Sequence, residues 1–300
     1  MKQKTFLITG LVFTVACSAL TVLAAPELIV IGNNGPGRPV IMRLDGQTGA
    51  VLKRYEAPHE GLQGIAVDGK GEVLVSANTL GYGQITRLLA PDSTSAMVHP
   101  ALTMPGSLRV GPGGDVYVIS TSGDTGEQQA RILRFEGSTG KFLGGFYGNS
   151  DTGNTWTDLA FGLDGTLFVT DQRLGVMHFN AQTGDFLGVF VPAGPGGPGT
   201  ASALAVGPDG HLYVADRDAN SILRFDGKTG KPIDTFVKAQ SGGLKEPVSI
   251  AFDSAGQLYV SSSIGHSILR FDGKTGAFSG SVLSGETLRS PSKLIFASVP

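Results

Sequence analysis

The nine residues ILRFDGKTG occur at 222–230 and again at 268–276. Four drifted copies precede them: IMRLDGQTG from Ile41, ITRLLAPDS from Ile85, ILRFEGSTG from Ile132 and VMHFNAQTG from Val176. Aligned on Arg43, Arg87, Arg134, His178, Arg224 and Arg270, the copies recur at intervals of 44, 47, 44, 46 and 46 residues. A period of that length is the span of one propeller blade, and such a unit buries its apolar face only by stacking on its neighbours. Six copies predict an all-β, six-bladed propeller.

A second phrase interleaves with the first. GIAVDGKGEVLVSAN from Gly64, SLRVGPGGDVYVIS from Ser107, DLAFGLDGTLFVTD from Asp158, ALAVGPDGHLYVAD from Ala203 and SIAFDSAGQLYVSS from Ser249 each give two short apolar runs split by a Gly-rich turn. Such runs read as antiparallel hairpins. Each repeat is therefore a four-stranded meander, with a small-residue first strand, an LYVAD-like second, ILRF as third, and a fourth after the Thr-Gly turn.

The chain ends complement each other. PELIVIGNN from Pro26 is a second-strand phrase without its first strand, and SPSKLIFAS from Ser290 is a first-strand phrase without its second. Residues 293–297 are expected to pair beside residues 28–31 and close the ring, which leaves no inner edge open.

The combination resembles the NHL-repeat family of six-bladed propellers over residues 26–300. The likeness is strongest in blades five and six, where Pro247, Ile250, Ala251, Phe252, Asp253, Leu258, Tyr259, Val260, His266, Ile268, Arg270, Phe271 and Asp272 fall in the family's order. It is weakest in blade two, where the Asp-Gly-Lys-Thr-Gly turn has become LAPDSTSA. The family describes a shape. Its members include enzymes as well as binders of protein and RNA, so the resemblance fixes architecture more closely than activity.

Residues 1–24 read as a signal peptide. Lys2 and Lys4 precede an apolar stretch from Phe6, and Val22-Leu23-Ala24 suits signal peptidase. Export to the periplasm or exterior is expected, with the propeller occupying 25–300. Cys17, the single cysteine, lies inside this leader. It is either a passenger lost on cleavage or the lipidation site of a relaxed lipobox, Thr14-Val15-Ala16-Cys17, which would anchor a lipoprotein. Loss of Lys2 and Lys4 takes the basic count from 23 to 21 against 25 acids. A mildly acidic chain with no basic run is a poor nucleic-acid binder. No transmembrane helix is expected in the mature chain, and a monomer is.

Several familiar motifs fail. Asp-Gly-Lys-Thr-Gly contains Gly-Lys-Thr, but the glycine that a phosphate-binding loop needs upstream is Ile222 or Ile268, and a strand follows instead of a helix. The arginine of ILRF recurs in five blades, which makes it a strand residue paired with a neighbour. His59 and His266 fall on the face where loops converge, His266 at the family's recurring loop position. Two histidines fall short of the three-ligand zinc site of a propeller lyase. The streptogramin lyases resemble seven-bladed rings, against the six spelled here.

Departures from the repeat locate the candidate site, because structural demands act alike on every blade. The first-strand column reads Gly64, Ser107, Asp158, Ala203, Ser249, Lys293, and two residues on it reads Ala66, Arg109, Ala160, Ala205, Ala251, Ile295. Arg109, Asp158 and Lys293 break a rule of small residues crowding the axis. Two readings stay open: an ion pair of Arg109 with Asp158 that plugs the channel, or a polar ligand site with Trp156 at its rim and His59 and Lys293 nearby. At the end of the second strand, Asp171 and Asp216 lie on neighbouring blades, where paired carboxylates would suit Ca²⁺ or another divalent cation. Similarity to gluconolactonase-like propellers implies the same; as family consensus, these aspartates would instead cap turns. The leading functional expectation is a secreted scaffold binding a protein, peptide or glycan through top-face loops, notably 148–155 and PAGPGGPGT from Pro192. The alternative is a divalent-metal-dependent hydrolase of the lactonase kind, or a lyase, acting at the channel mouth.

Overall fold

The computed structural model describes residues 26–33, 39–57, 59–79, 82–88, 94–121, 130–147, 156–284 and 288–297. The expected signal peptide, Cys17 and the 148–155 loop lie outside the described residues. Six sheets of four antiparallel strands form the ring. The inner strands of blades one to six are Arg289–Phe296, Leu62–Val67, Met104–Val110, Trp156–Phe161, Ala201–Val206 and Pro247–Phe252. Each contacts the next, and the last returns to the first, so blade one faces blade four across the axis.

The repeated phrase is a strand ending in a turn whose chemistry is local. In blade five the Asp226 carboxylate accepts the amides of Lys228 (3.1 Å) and Thr229 (2.8 Å) and the Thr229 hydroxyl (2.8 Å). Gly230, at φ 69°, closes the turn by donating to the Asp226 carbonyl at 2.9 Å. Asp272 and Asp45 repeat these bonds in blades six and one. Gly-Lys-Thr is thus a hairpin turn, where glycine supplies the positive φ that other residues resist. The ILRF arginines pair with neighbouring acids as expected: Arg134 with Asp115, Arg224 with Asp234, and Arg43 with Glu27.

The core is distributed between blades. Six apolar clusters occupy the six blade–blade interfaces. A recurring joint reinforces them, in which a second-strand tyrosine stacks edge-on against the phenylalanine ending the next blade's inner strand. The pairs are Tyr117–Phe161, Tyr213–Phe252 and Tyr259–Phe296, with ring centroids 5.0, 4.8 and 4.8 Å apart. Such pairs add about 1 kcal/mol beyond burial.

Ring closure follows the expected register. Ile31, Val30, Ile29 and Leu28 pair with Lys293, Leu294, Ile295 and Phe296. The Tyr259–Phe296 joint docks the closing strand on blade six as the other joints dock theirs.

Candidate functional site

In blades two to six the inner strand carries a one-residue bulge near the top face, and in blade one the excess is two residues; the bulge decides which side chains reach the axis. In blade four the register shifts between Trp156 and Asp158, leaving Thr157 as the extra residue. Alternation is thereby inverted. Trp156 joins Leu159 in the cluster against blade three, 5.7 Å from Phe179 and 7% exposed. Thr157 instead donates to the Ala201 carbonyl of blade five at 3.1 Å. The tryptophan expected at the rim of a ligand site is therefore part of the wall between blades, and its indole N–H has no partner among the described residues.

Three of the expected residues do converge. Arg109 Nη2 lies 3.1 Å from Asp158 Oδ1 and 3.3 Å from Oδ2. Lys293 Nζ lies 3.6 Å from the same Oδ1 and donates to the Thr157 carbonyl at 3.3 Å. Since Lys293 belongs to the closing strand, it crosses the whole axis to reach blade four. Ser107 Oγ adds a hydrogen bond to Asp158 Oδ1 at 2.5 Å, and the Thr170 hydroxyl accepts the Asp158 amide at 2.9 Å.

The electrostatics follow from burial. Asp158 is fully buried, which by itself would raise its pKa, but the charges of Arg109 and Lys293 and the bonds from Ser107 and the Leu159 amide hold it below the usual carboxylate range. Burial pushes the Lys293 amine below the ordinary lysine range, Asp158 offsets part of that, and Arg109 adds to it. The ion-pair reading and the polar-site reading thus share one cluster. Ser107 and Thr157 carry no signal in the sequence: a serine in a small-residue column gives no contrast, and Thr157 joins the cluster through its backbone carbonyl.

His59 lies elsewhere. Its Nε2 meets the hydroxyl of Thr86 at 3.1 Å, on the third strand of blade two, and burial lowers its pKa. His266 adopts φ 48° and accepts the Ser290 amide through Nδ1 at 3.1 Å, at the start of the closing strand. Asn220 does the same one blade earlier, at φ 53°, accepting the Glu246 amide at 2.6 Å. This loop position pins the entrance of the next inner strand.

Asp171 and Asp216 each serve their own blade. Asp171 Oδ1 accepts the amides of Arg173 at 2.7 Å and Leu174 at 2.9 Å. Asp216 accepts those of Gly199 (2.8 Å), Thr200 (3.3 Å) and Ala219 (3.3 Å), anchoring the end of the PAGPGGPGT stretch. No group of three or more His, Cys, Asp or Glu suited to a metal forms among the described residues. On the top face, a cavity of about 620 Å³ opens between blades one and two, lined by Asn33, Glu60, Gln63, Ser290 and Ser292 with Pro39 at its side. No helix among the described residues is long and apolar enough to cross a membrane.

No protein-family model matches the chain, and no curated protein is significantly similar. Among solved structures, a protein of unknown function from Bacteroides caccae is 16% identical, with a TM-score of 0.68 over 91% of this chain and 99% of that one. A chain of a nidogen/laminin complex is 13% identical, also at 0.68, over 91% and 98%. A catalytically inactive virginiamycin B lyase from Staphylococcus aureus, with quinupristin, is 18% identical at 0.58, over 85% and 84%. At these identities the likeness is one of fold: an all-β propeller scaffold, in this chain with six blades.

Proposed function

We propose that this chain is an exported NHL-type propeller that binds a protein, peptide or glycan through its top face. The observation that carries this reading is the top-face cavity of about 620 Å³, whose Asn33, Gln63, Ser290 and Ser292 offer amide and hydroxyl groups for hydrogen bonding. Ile31, Pro39 and Leu62 supply apolar wall beside these groups and Glu60 one acid, the mixture of apolar surface and a few placed polar groups by which pockets orient a ligand. Structural use of the conspicuous titratable groups supports the same reading: Asp171 and Asp216 hold loop amides, and His266 holds the closing strand. That one structural neighbour sits in a nidogen/laminin complex agrees with a binding role.

The test is a peptide and glycan array probed with the mature protein. Hits should be lost when Asn33 and Gln63 are both replaced by Ala and kept when Arg224, on the outer part of blade five, is replaced. Hits indifferent to the double substitution would move the binding surface elsewhere.

The metal-hydrolase or lyase alternative rests on Asp171 and Asp216, and these residues as placed do not fit a cation well. The Asp171 Oδ1 and both Asp216 oxygens accept backbone N–H groups, which satisfies the carboxylate without an ion. Titration with Ca²⁺ separates the readings. A stoichiometric site lost on D171N/D216N would favour the enzyme.

A further inference from the structure

Among the described residues the axial cluster holds one positive charge in excess. Among the described residues Asp158 is the one carboxylate within ion-pair range of Arg109 and Lys293, so two cations share a single anion. Exposure is asymmetric: Asp158 is 0% exposed at its side chain, whereas Arg109 and Lys293 keep 16% and 12%. Solvent therefore reaches the cationic side of the cluster and not its acid. An uncompensated charge in so confined a place is costly unless a counter-charge joins it or a proton leaves.

Hydrogen bonding leaves capacity on the same side. An ammonium carries three donors and a guanidinium five. Lys293 uses one on the Thr157 carbonyl at 3.3 Å, and its 3.6 Å approach to Asp158 is an ion pair beyond hydrogen-bond reach. Arg109 spends Nη1 on the Leu108 carbonyl at 2.9 Å and on Ser107 at 3.5 Å, and Nη2 on Asp158. At the level of Arg109 the other blades contribute Ala66, Ala160, Ala205, Ala251 and Ile295, none of which can accept from it through a side chain.

We propose that the axial channel takes a small carboxylate anion, bound between Lys293 and Arg109, with Asp158 as the positioning residue that orients both. A monoanion neutralises the single excess charge. A planar carboxylate also matches the two-pronged donor pattern of a guanidinium better than a spherical halide does. A divalent cation is repelled by the same cluster. The site is independent of the partner surface on the top face, so either proposal can fail alone.

The experiment is thermal melting and calorimetric titration of the mature protein near neutral pH, with sodium acetate against sodium chloride and inorganic phosphate at matched ionic strength. Acetate should raise Tm saturably, ahead of chloride and phosphate. Lys293→Met should weaken acetate by about tenfold or more, the worth of one charge-assisted bond. Arg109→Lys, which keeps the charge but loses the fork, should narrow the preference for acetate over chloride and guards against misfolding of the first variant. Lys238→Met, at an exposed lysine, should change nothing. Absence of a saturable acetate effect, an effect indifferent to Lys293→Met, stronger binding of phosphate, or a Lys293 amine found neutral in the anion-free protein would each overturn the proposal.

Discussion

The Tyr259 hydroxyl donates to the Gly46 carbonyl at 2.9 Å, joining blade six to blade one across 213 residues of sequence. The bond lies at the seam where the ring closes, and Asp253 Oδ2 meets the same hydroxyl at 3.2 Å. Tyr259→Phe keeps the ring stack on Phe296 and removes the bond, so it should cost about 1 kcal/mol, read as a modest fall in Tm. Deleting residues 290–300 should cost far more, since it strips the partner strand from residues 28–31. A truncated protein melting with the parent would contradict closure by this strand.

Asp158 should make stability acid-sensitive. Its pKa is depressed in the folded protein, so its contribution is present above the unfolded value of about 4 and is lost as pH falls through the folded value. Asp158→Asn should cost about 3 kcal/mol near neutrality, because two cations are left facing an amide. It should also flatten the stability profile on the acid side. Denaturant melts of parent and variant across the acid range test both, and parallel acid slopes would count against the assignment.

Asn220 and His266 are interchangeable in role. Both hold a positive φ and accept the amide that leads into the next inner strand. His266→Asn should therefore be close to neutral in Tm, whereas His266→Ala and Asn220→Ala should each lose roughly 1 kcal/mol through the lost bond and the strained backbone.

Export with cleavage after Ala24 should give a mature protein beginning at Ala25, measured by intact mass. A lipid-bearing Cys17 as first residue would replace soluble export with membrane anchoring.

What the sequence disclosed was whatever has local or columnar chemistry. The Asp-Gly-Lys-Thr-Gly phrase reads directly as a turn because its aspartate, threonine and glycine act within five residues. Closure is legible because each half-blade lacks what the other end supplies, and Arg109 with Asp158 stands out against columns of Gly, Ala and Ser. Lys293 is legible as a departure but not as a contact across the ring, since a column gives height along the axis and not the length of a side chain's reach. Trp156 misleads for a different reason: one bulged residue reverses the alternation, and nothing in the composition of WTDLAF marks it. The duty of Asp171 and Asp216 depends on where loop amides point, which only three dimensions show.

Synthesis order gives the closing strand a consequence of its own. Leu28, Ile29, Val30 and Ile31, each 0–1% exposed in the finished ring, are made before the strands of blades two to six, and their inner partner, Arg289–Phe296, follows all of those. Five interfaces assemble between blades adjacent in sequence, while the sixth waits for residues 289–296. Until then the protein is an open crescent with an apolar edge of the kind that recruits other chains, and closing so long a loop is slow compared with local pairing. The segment that ends this vulnerable interval also delivers Lys293 to Asp158. Sealing the edge and completing the charge pattern of the axis are thus a single event, so a nascent chain stalled before residue 289 would lack both.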